Sequence, residues 1–444
     1  MSRLGRHWQT FAGLFGDSRQ LVAGSIAVAV AQSVSLVPIA LIVRHVFDSD
    51  IPGGHTGALV GNGALVLALF ATNGALGLWS RYWILRANKR AITELRVKLV
   101  AKLYSLPRAY FDRADVGVLH ATLIQDTERL DVMANALMAQ ALPAFLITTV
   151  LLVAMAYINP FLTVLLVAVT PLLAFLARRI GRAGRVWAGR YHADYDTFAA
   201  HAQVGFRAMT LTKALGAEEL EVAARRREAE ALEGSSRTMS WLLAAYAQTQ
   251  STIAAIAGVI VLIVGGAAVS SGSMSLGSLL GFYAVVALLR AQLLGVLSAT
   301  PNVVAGADSM TRVQAVLDAS EAQPYSGERE IEWTGAIALE GVRFGYRDRA
   351  VVDGIDLRVE PGERVVLAGP NGAGKSTILY LLLGLYRPWR GRALAGGVPF
   401  DELDLNALRQ RIGVVLQDPI VFRGSVLDNV RYGGPGAGET QVRR

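Results

Sequence analysis

Four stretches of the 444-residue chain contain no Asp, Glu, Lys or Arg: residues 20–43, 56–80, 132–177 and 238–289. A helical crossing of the bilayer core needs about 20 apolar residues, and nothing in a soluble domain of this size requires four uncharged runs of such length. The first two runs, of 24 and 25 residues, each fit one helix; the third and fourth, of 46 and 52, each fit two. Both long runs carry a turn signal near the middle, Asn159-Pro160 in one and Ser270-Ser271-Gly272-Ser273 in the other. Six spans follow. With 53% apolar and 18% charged residues and a mean hydropathy of +0.39, the composition excludes an ordinary soluble enzyme. The chain has no cysteine, which excludes disulfide frameworks, thiolate metal sites, iron–sulfur clusters and cysteine nucleophiles.

A net charge of +8 in a soluble protein would raise nucleic-acid binding, but the basic residues fall in particular loops. Three Lys and Arg precede the first span, ten lie in residues 81–131 and eleven in 178–237, against Arg44 alone in the three opposite loops. By the positive-inside rule the chain is a multi-pass protein of the plasma membrane with both ends in the cytoplasm, and no nucleic-acid partner is expected. Residues 1–19 precede the first run and place Leu4, Trp8, Phe11 and Phe15 at helical spacing. They read as an amphipathic segment in the headgroup layer or as a plain extension of the first span, and the apolar run is too long for a signal peptide. The loops 81–131 and 178–237 alternate charge and aliphatic residues, as in Ile92 to Leu99, and read as helices continuing out of the bilayer.

Past residue 320 the pattern changes. Residues 321–334, around Gln323-Pro324-Tyr325-Ser326-Gly327, read as a linker, so a helical membrane domain of residues 20–320 is followed by an α/β domain over 335–444. β-type runs at Ile337 to Leu339 and Val351 to Val359 lead to an apolar strand, Arg364 to Ala368. Then come Gly369-Pro370-Asn371-Gly372-Ala373-Gly374-Lys375-Ser376-Thr377 and the apolar run from Ile378 to Leu383. Strand, glycine loop and helix with this spacing form the phosphate-binding loop. Glycines let successive N–H groups point at phosphate oxygens, and the helix N-terminus adds its positive partial charge. Lys375 is placed to reach the β- and γ-phosphates and the Ser376 hydroxyl to ligate Mg²⁺, so ATP and Mg²⁺ are the expected ligands.

The surroundings of the loop are specific. Val342-Arg343-Phe344-Gly345-Tyr346 ends 29 residues before Lys375; Leu405 to Phe422, including Val414-Val415-Leu416-Gln417-Asp418-Pro419, and Gly424 to Val430 follow it. Together they resemble the nucleotide-binding domain of ATP-binding cassette exporters. The resemblance implies that Tyr346 stacks on adenine and that Gln417 is the Q-loop glutamine, touching Mg²⁺ and the attacking water. It extends more loosely to the membrane part. There Tyr110-Phe111-Asp112-Arg113, Gly117-Val118-Leu119 and Asp126-Thr127-Glu128-Arg129 look like the family's first intracellular loop, and Thr212 to Glu218 like its second. The glutamate expected near Val204 is missing. Six spans before one cassette is the half-transporter layout, which implies a second half, identical or not, as partner.

By the same resemblance the signature motif, Walker B carboxylates and switch histidine would come after the Q-loop, and the sequence runs only to Arg444. It therefore reads as an incomplete copy of a longer protein, expected to bind ATP but not to hydrolyse it efficiently. Reading Val414 to Asp418 as a Walker B strand is disfavoured by the glutamine at its end. The leading function is ATP-driven export of an unidentified substrate; the alternative is an ATP-gated or regulatory membrane protein of the same architecture. The sequence does not choose among lipid, peptide, drug or siderophore cargo. Asn73, Gln140, Gln248, Gln250 and Gln292 lie within spans, where such side chains more often bond between helices than line a pathway. Arg290 falls in the cytoplasmic half of the sixth span, either snorkelling to the headgroups or facing a cavity. No metal-ligand cluster stands out among the six histidines.

Overall fold

The computed structural model describes residues 13, 16, 19–417, 420–433 and 442; for some residues in 169–185 and 293–301, and for Ala254, it describes only the path of the helix. The amphipathic reading of Leu4 to Phe15 and the Walker B alternative at Asp418 lie outside these residues. The chain forms two compact units, one of residues 8–91 and 131–305, the other of residues 92–130 and 306–444.

The first unit is helical, and each expected span falls on a helix. α1 (Arg19–Ser35) and α2 (Val37–His45) make the first span, with Pro38 in the opening turn of α2, where its missing N–H costs nothing. α3 (Thr56–Ser105) carries the second; its 50 residues span about 75 Å at 1.5 Å per residue, far more than a bilayer core of about 30 Å. After α4 (Arg108–Arg113), α5 (Val116–Ala121) and α6 (Thr127–Asn135), the third span ends with α7 (Leu142–Ile158). Asn159 leaves the helical region, at φ −156° and ψ 104°, and its side chain accepts from the Leu162 N–H at 3.0 Å. It thereby caps α8 (Pro160–Arg207) and makes the turn expected from the Asn-Pro pair. After α9 (Met209–Leu215), α10 (Glu218–Ser270) stops at the serine-glycine turn, where Gly272 takes φ +75°, and α11 (Leu276–Leu317) follows. Among the described residues, Arg19–Asp50, Thr56–Ser105, Val116–Ile158 and Glu218–Ser270 are long and apolar enough to cross a membrane, and Leu276–Gln292 is a shorter apolar stretch.

Leu36, Leu151, Met155, Leu162, Val261 and Phe282 are almost fully buried together, so the first, third, fourth, fifth and sixth spans share one core. Lipid tails are as apolar as these side chains, so close packing and polar cross-links, rather than escape from water, hold the helices together. Asn73 supplies one link, donating to the Gln32 carbonyl at 2.8 Å and the Ser35 hydroxyl at 3.0 Å. Asp48, in the π-helical turn Val46–Asp50, supplies another by accepting from the Gly277 N–H at 2.8 Å and the Ser275 hydroxyl at 2.6 Å. A side chain at Gly277 would meet the Arg44 carbonyl oxygen at 2.2 Å, so only glycine permits this approach. Arg290 is exposed and donates to the Ser251 hydroxyl of α10 at 2.8 Å, a partner that the sequence did not single out.

The second unit holds a four-stranded antiparallel sheet of order β2-β1-β3-β4, formed by β1 (Ile337–Tyr346), β2 (Arg349–Val359), β3 (Arg390–Ala395) and β4 (Val398–Pro399). Leu339, Val342, Phe344 and Val352 from the sheet pack with Ile378 and Leu381 of α12 (Lys375–Leu382). The strand expected at Arg364 to Ala368 has no ladder partner, as has the run Ile412 to Leu416. Neither forms a ladder with any described segment, and Val366 is 87% and Val415 98% exposed. Sequence periodicity reports a segment's preference for extended backbone, whereas a strand also needs a neighbour.

Candidate nucleotide-binding site

The glycine loop closes directly onto α12. Gly372 and Gly374 adopt φ +82° and +88°, and a Cβ at Gly374 would lie 2.8 Å from the Val352 Cγ1 atom of β2. Glycine at 374 is thus required twice, by conformation and by space. Gly374 is the N-cap of α12 and offers no capping side chain, so the first N–H groups of the helix are left for an anion. Lys375 folds back over the loop, its Nζ donating to the carbonyls of Gly369 at 2.9 Å and Pro370 at 2.8 Å. This tether fixes the ammonium above the backbone donors with one N–H direction to spare. Open N–H groups, a positive-φ glycine pair and a pinned lysine fit a polyphosphate.

Tyr346 ends β1 beside the loop. Its hydroxyl lies 3.4 Å from that of Thr377, which is buried, and its ring meets Phe344 and Tyr386 edge to face at 5.4 and 5.5 Å. The ring is 37% exposed, which leaves it surface on which a planar base could stack. Among the expected site residues the structure brings together Tyr346, Thr377, Lys375 and the glycine loop. Ser376 follows Lys375 in the first turn of α12 and is exposed. Asn371 and Ala373 lie on the loop's turn, the Ala373 N–H donating to the Pro370 carbonyl at 3.2 Å. Gln417 stands apart: it is exposed at the end of the unpaired 412–416 run, and no hydrogen bond joins it to the loop among the described residues.

Sequence reasoning missed the support beneath this aromatic cluster. Tyr386 donates to the Asp112 carboxylate of α4, and burial followed by that carboxylate pushes the phenol well above its ordinary pKa. Ala109 of the same short helix packs on the sheet core. The first intracellular loop is also clamped to the end of α11. Asp126, buried at the end of the π-helical turn Thr122–Asp126, accepts from Arg312 Nε at 2.9 Å, Arg312 Nη2 at 2.5 Å and the Ser309 hydroxyl at 2.9 Å. The Asp112 and Asp126 motifs were visible in the sequence, but their partners were too distant along the chain to be read from spacing.

A helical membrane unit joined to a phosphate-loop sheet unit defines the class, a membrane protein with its own nucleotide site. Family profiles then identify it: that for the ABC transporter transmembrane region matches residues 22–293 and that for the ABC transporter matches residues 352–443. The chain belongs to the ATP-binding cassette transporters. It is 28% identical over 387 residues to a fatty acid ABC transporter ATP-binding/permease protein of Mycobacterium tuberculosis, covering 85% of this chain and 60% of that protein. It is 26% identical over 442 residues to an ATP-dependent lipid A-core flippase of Alkalilimnicola ehrlichii, covering 97% of this chain and 74% of that protein. An ABC multidrug transporter of Aspergillus fumigatus is 27% identical over 381 residues, 85% of this chain and 48% of that protein. The chain thus spans about 60% of the length of the fatty acid transporters it matches.

Proposed function

We propose that this chain supplies the membrane pathway and the phosphate-binding part of one half of an ATP-driven exporter that works as a dimer. The observation that carries the proposal is the loop at 369–377, with its uncapped helix end and tethered lysine, in a chain whose other unit is a bundle of membrane helices. The loop N–H groups and Lys375 bind the phosphates, Ser376 and Gln417 hold Mg²⁺, and Tyr346 orients the base. When bound, Mg²⁺ neutralises charge on the phosphate oxygens. Gln417 joins the site when the unpaired 412–416 run gains a neighbour. The skewed Lys and Arg counts support cytoplasmic ends, which puts the glycine loop on the side where ATP is made. Residues 20–320 are then the membrane domain, 321–334 the linker and 335–444 the nucleotide domain.

The contacts of α4 and of the Asp126–Arg312 clamp support a mechanical reading. Nucleotide binding that moves the aromatic cluster pulls on Asp112, and Asp126 carries that movement to the end of α11. The partner half is required because one chain supplies six spans and one phosphate loop. The test is transport into inside-out vesicles: accumulation against a gradient that needs ATP and is lost in Lys375→Ala is expected. Flux only down a gradient, with ATP merely opening the path, would replace export by gating.

A further inference from the structure

The chain holds three Asn-Gly pairs, Asn62-Gly63, Asn73-Gly74 and Asn371-Gly372. An asparagine before a glycine carries a reaction within itself. The next backbone nitrogen can close a five-membered ring on the side-chain carbonyl carbon, and glycine has no Cβ to hinder the approach. Whether the ring closes depends on whether the fold leaves both groups free. Two of the pairs lie inside α3, where the glycine N–H is held by the carbonyl four residues earlier. Their amides are held too. Asn62 Nδ2 donates to Asp50 Oδ2 at 2.7 Å, and Asn73 Nδ2 donates to the Gln32 carbonyl at 2.8 Å and the Ser35 hydroxyl at 3.0 Å.

The third pair is free at both ends. It forms the corner of the glycine loop, in a turn closed by the Ala373 N–H on the Pro370 carbonyl at 3.2 Å. Among the described residues neither the Gly372 N–H nor the Asn371 side chain makes a hydrogen bond, and both residues are exposed. Gly372 takes φ +82°, and a Cβ there would meet nothing within 4 Å, so the space beside the bond is open. This freedom follows from the loop's chemistry. A loop that offers its N–H groups to an anion cannot bond them to itself. The open donor that suits a phosphate is therefore also an unoccupied nucleophile next to an unheld amide.

We propose that Asn371 is a site of spontaneous deamidation that disables the empty loop, and that bound nucleotide shields it. Hydroxide from solvent removes the Gly372 N–H proton, the nitrogen attacks Asn371 Cγ, and the Cγ–Nδ2 bond breaks as ammonia leaves with a proton from water. The succinimide ring then takes up one water. Cleavage between the nitrogen and Cγ gives aspartate, and cleavage between the nitrogen and the main-chain carbonyl carbon of residue 371 gives isoaspartate. In balance, an amide and water become a carboxylate and ammonium, with no change of oxidation state. Either product sets a negative charge where the phosphates would sit. Isoaspartate also lengthens the main chain by one methylene, which turns the loop N–H groups away from the directions that Gly372 and Gly374 set. The shielding rests on the nucleotide reading, since a phosphate oxygen that accepts from the Gly372 N–H occupies the nucleophile. The reaction of the empty loop does not depend on it.

The experiment incubates the purified chain in detergent at mildly alkaline pH, with and without ATP and Mg²⁺. Peptide mass spectrometry follows the three Asn-Gly pairs, and enzymatic methylation of isoaspartate counts the rearranged product. In the empty protein the mass gain of amide to acid is expected at Asn371 and absent at Asn62 and Asn73 over the same time. ATP affinity should fall in step, at least about tenfold weaker in the reacted fraction. In urea, where no fold protects them, the three pairs should react alike. Saturating ATP should slow the reaction at Asn371 in the parent protein and leave it unchanged in Lys375→Ala. Asn371→Gln, which would need a six-membered ring, should hold its starting affinity throughout. No product at Asn371, equal rates at the three pairs in the folded protein, or equally fast loss of affinity in Asn371→Gln would overturn the site. Equal rates with and without ATP would overturn the shielding if the protein titrates normally with ATP. The same result in a protein that binds no ATP would strike the nucleotide reading and leave the reactive pair standing.

Discussion

The glycine loop at 369–377 and the contacts of the first intracellular loop are built in opposite ways. The loop is nine consecutive residues, so its conformation is written in a local pattern of glycines, a lysine and a serine. The contacts join single side chains from distant segments, Asp112 with Tyr386 and Asp126 with Arg312, none of which is informative alone. A backbone site demands special conformations that only glycine adopts, and this leaves a sequence signature. A side-chain contact across the fold demands only that ordinary residues face one another.

The comparison breaks first at the long-range contacts. If the second unit depends on these distant pairs, Asp126→Ala should lower stability by about 2–3 kcal/mol. This is less than for a wholly buried pair because Arg312 is 44% exposed. Denaturation in mild detergent, followed by the emission of the Trp residues, would measure it. A loss under about 0.5 kcal/mol would show that the clamp is ornamental. Within the local site, Tyr346→Ala should weaken ATP by about 1–3 kcal/mol, the worth of one base stack, and spare pyrophosphate. Equal loss for both ligands would remove Tyr346 from the base-binding role. Smallest is Asn159→Ala, which deletes the cap of α8 and should cost about 1 kcal/mol of stability while nucleotide affinity stays constant. A change in ATP affinity there would deny that the loop is self-contained.

What the sequence made legible divides along the same line. The uncharged runs fall on helices, the Asn-Pro and Ser-Gly turns fall where those helices break, and the glycine run forms a loop before a helix. Partners escaped it. Asp126 meets Arg312 across 186 residues and Tyr386 meets Asp112 across 274, and neither periodicity nor motif spacing encodes a pairing at such distances. Arg290 was read as snorkelling or facing a cavity, yet its partner is the Ser251 hydroxyl, one of many equivalent serines from the sequence's point of view. The strand expected at Arg364 to Ala368 was read from local preference, and the structure leaves it without a ladder because pairing is a property of two segments.

The central claim is that residues 369–377 form a nucleoside triphosphate site, and the most direct test is the ATP affinity of Lys375→Ala. Removing the ammonium leaves the β- and γ-phosphates without the cation that the Gly369 and Pro370 carbonyls hold in place. Titration with a fluorescent ATP analogue should show affinity weakened at least about tenfold, or about 1.4 kcal/mol, with an unchanged melting temperature. Affinity equal to that of the parent protein would contradict the account.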